Sequence, residues 1–301
     1  MSRSGIDLHL QSSSDDERQA IASWLSSLNF QASQNEFIQK RRKGTGEWFL
    51  ESREFKEWRD GTSEMLWCPG DGKHIFCHSI ACPHWSMSSR CRKDYPRVRV
   101  YIELHVGSWL IVGIHSRSIV LNHLQALSEE NDSVATTFIY CNYKKQAEQT
   151  VSNLVASLLK QIIQGRRAIS DNIKSFFERH QRQEARPTLD QLTDALISEI
   201  QTYYKVFVVV DALDECCEDD ATRAMLLEVL RSLPRQVNLM VTSRNLPSIG
   251  RDFEGAKRLH IRAKDDDIRA YIEGRIALGP RHLKNLQETI VNTIVENAKG
   301  M

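Results

Sequence analysis

At 301 residues the chain has room for about two domains, and its 41% apolar and 26% charged residues are ordinary for a globular protein in water. A formal net charge of +1 provides no global field for nucleic acid or an anionic membrane, and no apolar run approaches the ~20 residues that a membrane helix needs. Seven cysteines, an odd number without framework spacing, together with a start that lacks the apolar core of a secretory signal, point to reduced thiols and a cytoplasmic or nuclear location.

Residues 1–13 are polar and read as an unstructured lead-in. Ser14-Asp15-Asp16-Glu17 has capping-box spacing and opens an amphipathic helix with Ile21, Trp24, Leu25 and Leu28 on one face. A second helix is predicted from Gln34 to Lys43, stopped by Gly44. Its basic end, Lys40-Arg41-Arg42-Lys43, suits the helix dipole as a solvated terminus. A further helix is expected over Ser52–Arg59, with Trp48, Phe55 and Trp58 as packing residues. Glu64–Cys68 is a strand candidate that runs into Pro69-Gly70-Asp71-Gly72-Lys73-His74.

That hexapeptide bears on function. A phosphate-cradling loop needs glycines that let backbone N–H groups converge, a lysine for the β- and γ-phosphates, and a hydroxyl residue for magnesium, in the pattern G-x-x-x-x-G-K-[ST]. Gly72-Lys73 fits, but Trp67 stands at the first glycine and His74 at the hydroxyl. Residues 74–117 then change style, with His74, Cys77, His78, Cys82, His84 and Cys91 among Pro, Ser and Arg, and a strand-like alternation over 97–104. The cysteine spacings match no paired C-x2-C zinc module, and the stretch reads as an atypical insertion.

A globular pattern resumes with a helix from Ser118, a strand over Thr136–Cys141, and a long helix carrying Val151, Leu154, Val155, Leu158, Leu159 and Ile162 on one face. Helices over 170–182 and 188–203 precede Lys205-Val206-Phe207-Val208-Val209-Val210-Asp211-Ala212-Leu213-Asp214-Glu215. Five apolar residues in a row read as a strand buried on both faces, and it delivers three carboxylates to the edge where open α/β sheets place ligands. In phosphate-handling proteins the first such acid, here Asp211, helps hold magnesium, and a following acid, Asp214 or Glu215, orients water. A helix over 220–232 and a strand over Val237–Val241 follow. That strand leads into Thr242-Ser243-Arg244, where an arginine can reach a γ-phosphate. A short strand over Arg258–Ile261 and helices over Asp265–Ala277 and Pro280–Ala298 close the chain.

In this order the pieces resemble the NACHT-type NTPases of the STAND class, and more closely the nephrocystin-3-like N-terminal module of fungal NOD-like and ankyrin-repeat proteins. The residues carrying the resemblance are Trp24-Leu25, Gly44-Thr45-Gly46-Glu47-Trp48-Phe49-Leu50, Leu66-Trp67-Cys68-Pro69-Gly70, Phe138-Ile139-Tyr140-Cys141, Asp211-Ala212-Leu213-Asp214-Glu215 and Thr242-Ser243-Arg244. The resemblance implies an α/β fold with a P-loop-like, mostly parallel sheet flanked by helices. It also implies ATP or GTP with magnesium as ligands, nucleotide-dependent switching and self-association for signalling. By position, Gly70, Gly72 and Lys73 correspond to the phosphate loop, Asp211 to the magnesium-directing acid, Asp214 or Glu215 to the water-polarising acid, and Arg244 to the γ-phosphate sensor.

The expected organisation is an N-terminal helical region over 1–62, a NACHT-like domain over 63–264 interrupted at 74–117, and the start of a C-terminal helical region over 265–301. The insertion separates the loop from the helix whose N-terminus belongs to the anion site. The expected function is therefore a signalling module with impaired nucleotide binding. The alternatives are a competent ATP or GTP hydrolase and a non-catalytic interaction module that acts on a protein partner without nucleic acid or membrane.

Overall fold

The computed structural model describes residues 15–40, 44–70, 118–166, 168–217, 221–262, 264–277, 284 and 287–299. Gly72, Lys73, the His/Cys-rich stretch, the alternation over 97–104 and Arg41–Lys43 lie outside the described residues. The elements in order are α1 (15–25), α2 (Phe30–Lys40), α3 (Glu47–Glu51), α4 (Arg53–Asp60), β1 (Met65–Gly70), α5 (118–130), β2 (Val134–Tyr140), α6 (Val151–Gln164) and α7 (Asp171–Arg182). There follow α8 (Leu189–Ile200), β3 (Lys205–Asp211), α9 (Thr222–Ser232), β4 (Val237–Arg244), α10 (Pro247–Asp252), β5 (Lys257–Arg258), α11 (Asp265–Ala277) and α12 (Gln287–Lys299).

The five strands form one sheet in the order β2-β3-β4-β1-β5, and every pairing is parallel. A parallel neighbour can only be reached by a crossover, so helices cover both faces and the inner strands lose polar alternation. β3 follows that rule, with every residue from Val206 to Asp211 buried. On one face Thr136 Oγ1 donates to the Leu124 carbonyl of α5 at 3.0 Å, and Trp58 of α4 packs 5.4 Å from the Phe207 ring. On the other, Thr137 Oγ1 donates to the Leu158 carbonyl of α6 at 3.3 Å. The predicted apolar face of α6 is buried against the sheet and α8. Each of its leucines and isoleucines contributes about 1.5–3 kcal/mol by leaving water.

Several boundaries differ from the sequence reading for local reasons. α2 begins at Phe30, four residues before Gln34, because Asn29 accepts the Ala32 amide at 3.1 Å and starts the helix there. α3 was not expected. It is a five-residue helix opened by Gly46 at φ +78, too short to carry a periodic signal. α8 stops at Ile200, where the backbone turns to bring Tyr203 into the core. β1 continues through Pro69 and Gly70. Pro69 is tolerated there because its own carbonyl, which points the same way its missing N–H would, faces the short β5 side and accepts from Ile261 N at 2.9 Å.

β2 is an outer strand of this sheet. Two glutamines stand in for the strand it lacks. Gln161 of α6 accepts the Phe138 amide at 3.0 Å and donates to the Phe138 carbonyl at 2.8 Å. Gln149 donates to the Tyr140 carbonyl at 2.7 Å and accepts the Asn142 amide at 2.8 Å. A carboxamide presents a donor and an acceptor side by side, as a peptide group does, and so satisfies backbone that would otherwise template another strand.

α11 and α12 pair around a small apolar cluster of their own, Ile268, Ile272, Ile276, Val291 and Val295. Asp267 links this pair to α3 by accepting Gly46 N at 3.2 Å and Trp48 Nε1 at 3.1 Å. Phe55 and Trp58 are fully buried as expected, while Trp48 is half-buried and held by that carboxylate. No helix among the described residues is long and apolar enough to cross a membrane.

Candidate functional site

Parallel strands all end on one side of the sheet, so the C-terminal residues of β1, β2, β3 and β4 share an edge. Val210 pairs with Val241, which sets Asp211 beside Thr242. Thr242 Oγ1 donates to Asp211 Oδ1 at 2.5 Å and accepts the Ala212 amide at 3.0 Å. One hydroxyl therefore fixes both the carboxylate, only 4% exposed, and the backbone that follows it. Ala212 then adopts φ +54, ψ 49, a left-handed conformation that costs a non-glycine residue about 1–2 kcal/mol. The reversal leads into one 3-10 turn, Leu213–Glu215, so the acids after Asp211 leave the strand in a tight turn.

That turn aims Asp214 at the end of β4. Its Oδ1 accepts the Arg244 amide at 2.9 Å and its Oδ2 accepts Arg244 Nε at 2.6 Å. The Asp214 side chain is 7% exposed and that of Arg244 is 36% exposed, so a nearly buried carboxylate holds a guanidinium that still reaches water. Glu215 points the other way. Its Oε2 accepts Tyr143 N at 3.2 Å and its carbonyl accepts Gln146 Nε2 at 3.3 Å, both from the segment leaving β2.

Gly70 ends β1 in register with Arg244, and its carbonyl accepts Asn245 N at 3.1 Å. The structure thus brings Gly70, Asp211, Asp214, Glu215 and Arg244 to one edge. Gly72 and Lys73 lie outside the described residues. Trp67 is not in a loop. It lies within β1, 3% exposed, with Nε1 donating to Ser243 Oγ at 2.9 Å and its ring stacked on Phe253 at 5.7 Å.

A single strand-end carboxylate with a neighbouring hydroxyl suits magnesium that keeps its waters and is held mainly by a ligand's phosphates. No cluster of three or more His, Cys, Asp or Glu among the described residues could hold a metal by itself. Asp211 and Thr242 therefore fit the acid half of a magnesium–phosphate site.

Three features of this edge escape a sequence reading. The Thr242 hydroxyl is one; a hydroxyl residue ending the strand beside an acid was its only signal. Gln149 is another. The third is a thiol pair, Cys141 and Cys216, whose sulfurs lie 3.0 Å apart in the interior. The hydrogen bond with Cys216, and then burial, push the Cys141 thiol well above its ordinary value. An open groove of about 1080 Å³ runs along the outer side of β2, lined by Thr136, Phe138, Lys160 and Gln161 among others, and does not include the acids.

Fold and edge together define an α/β protein with a five-stranded parallel sheet flanked by helices, of the P-loop-like kind. The family model described as nephrocystin 3, N-terminal, matches residues 44–93 and 115–244, well over half of the chain, and the chain belongs to that family. The match runs from the turn before α3 to Arg244, passes over 94–114, and resumes three residues before α5. Comparison with curated proteins found no match.

Proposed function

We propose that this chain is a NACHT-like nucleotide-binding module of a signalling protein, acting in the cytoplasm, in which the acid half of the site is kept and the phosphate half is impaired. The arrangement at the ends of β3 and β4 carries this reading: Asp211 set by Thr242, and Arg244 clasped by Asp214. Asp211 would direct magnesium, Asp214 or Glu215 would orient water, and Gly70, Gly72 and Lys73 would face the phosphates. Arg244 is latched on the same acid that could serve catalysis, so a γ-phosphate has to compete with Asp214 for its guanidinium. The impairment follows from composition. Counting back from Gly72-Lys73, the first glycine falls on Trp67, a core residue, and His74 replaces the magnesium-binding hydroxyl. The module would act through self-association or a protein partner, without nucleic acid or membrane.

Titration of the purified chain with magnesium-ATP and magnesium-GTP, followed by calorimetry, tests this. The expected outcome is no saturation in the micromolar range, and a micromolar affinity for either nucleotide overturns the impairment. Sequencing the mature message across codons 70–118 gives a second check. A shorter message joining Pro69-Gly70 to a Gly-Lys-Ser/Thr and to α5 would make the native product a complete switch NTPase.

A further inference from the structure

Where β2 and β3 end, two separate stretches of chain are held against each other. Cys141 continues the β2–β3 ladder one residue past β2, its amide donating to the Asp211 carbonyl at 3.0 Å. Cys216 caps the 3-10 turn that bears Asp214 and Glu215, its amide donating to the Leu213 carbonyl at 3.1 Å. Between the same two stretches run the Tyr143–Glu215 and Gln146–Glu215 hydrogen bonds. The sulfurs thus sit at the centre of a local clamp, with 5% and 7% of the two residues exposed.

We propose that Cys141 and Cys216 are a redox modification site, joined by a reversible disulfide when a two-electron oxidant such as hydrogen peroxide is present. The 3.0 Å between the sulfurs has to shorten by only about 1 Å to reach a covalent bond. One thiol sulfur attacks the peroxide O–O bond, giving a sulfenic acid and one water. The second thiol sulfur then displaces the hydroxyl from that sulfenic acid, forming the S–S bond and a second water. Both thiol protons leave in the waters, and the two electrons reduce the peroxide. Burial shields the pair from bulky disulfide reagents and leaves a small oxidant as the competent one. The raised thiol value of Cys141 makes its reaction slow at neutral pH and faster as pH rises.

The bond fastens the segment after β2 to the turn bearing Asp214 and Glu215, so oxidation freezes the position of the two acids. It also closes a long loop containing α6, α7, α8 and β3, which restricts the unfolded chain. This inference does not depend on nucleotide binding, and neither does its test.

Purified full-length chain, first reduced with dithiothreitol, is treated with hydrogen peroxide, alkylated under denaturing conditions and digested without reductant. The expected product is one cross-linked peptide pair joining Cys141 to Cys216, released by dithiothreitol, with a thermal midpoint several degrees above that of the reduced chain. Cys141→Ser, which keeps the size and a hydrogen-bonding group, abolishes both the cross-link and the rise. Full alkylation of Cys141 and Cys216 after peroxide treatment overturns the proposal. So does a link from Cys216 to Cys217, or a sulfinic acid at Cys141 or Cys216 in place of the bond.

Discussion

The two halves of the candidate edge are built on opposite plans. At the ends of β3 and β4 each polar group is fixed by another: Asp211 by Thr242, Arg244 by Asp214, and Ala212 N by the same threonine hydroxyl. At the end of β1 the side chains serve packing. Trp67 fills the space under α10, Arg258 lies 4.6 Å over its ring, and only Gly70 reaches the edge. The contrast teaches that an acid-bearing edge can persist by its own hydrogen bonds, because those bonds also hold β3 to β4. The proposed phosphate half would have no comparable structural duty among the described residues, since Trp67 and Gly70 serve the sheet itself.

The strongest way to break the contrast is to put a glycine where the motif count asks for one. Trp67→Gly removes a buried indole and its hydrogen bond and places glycine inside a strand. The expected loss is about 4–5 kcal/mol, with no gain of nucleotide binding. Urea unfolding read by fluorescence checks it, and a stable Trp67→Gly chain would mean that β1 does not depend on that side chain. On the acid side, Asp214→Ala strands the Arg244 amide and guanidinium. Because that guanidinium is one-third exposed and water can reach it, the expected cost is about 2 kcal/mol. Thr242→Val is isosteric but leaves Asp211 Oδ1 and Ala212 N without their shared partner, for a loss of about 1–2 kcal/mol, while Thr242→Ser stays close to the parent in the same melt.

The smallest effect is one of pH. Burial raises the Cys68 thiol well above its ordinary 9.0, and Cys141 is raised as well, by its bond to Cys216 and by burial. A raised value in the folded state means that the stabilisation is complete below the ordinary thiol value. It is lost as pH climbs above 9.0, where the unfolded thiols ionise and the folded ones do not. Unfolding measured from pH 8 to pH 10 should therefore show falling stability, and peroxide-treated chain a shallower fall if Cys141 is in a disulfide.

The central strand, its three acids, the long α6 and the order of the longer helices and strands were legible in the sequence because burial on both faces and helical spacing leave strong patterns. By contrast α3 and α10, of five and six residues, are too short to leave one. Asp214 and Arg244 were legible as separate members of an edge, but not as partners. Nothing along the chain says that a left-handed Ala212 turns one toward the other. Trp67 was legible as part of the Glu64–Cys68 strand and as a departure from a motif spacing, but not as the partner of Ser243 and Phe253, which come from distant parts of the chain. The glutamines were invisible for a different reason. A polar residue on a helix reads as solvated, and Gln34, which is fully buried, accepts from Tyr140 Oη at 2.5 Å and donates to the Ser118 carbonyl at 3.2 Å.

Gln161 carries one more consequence. Its side chain works only as an uncharged amide, because the Phe138 carbonyl needs a donor and the Phe138 amide an acceptor. Hydrolytic deamidation preserves its length and shape while replacing the donor by an anionic oxygen, which is then set against a carbonyl. The guard becomes a repellent at Phe138, and Gln149 alone then covers the rim of β2. A single amide proton thus decides whether Phe138 is capped or repelled, a dependence that a count of buried contacts would not show.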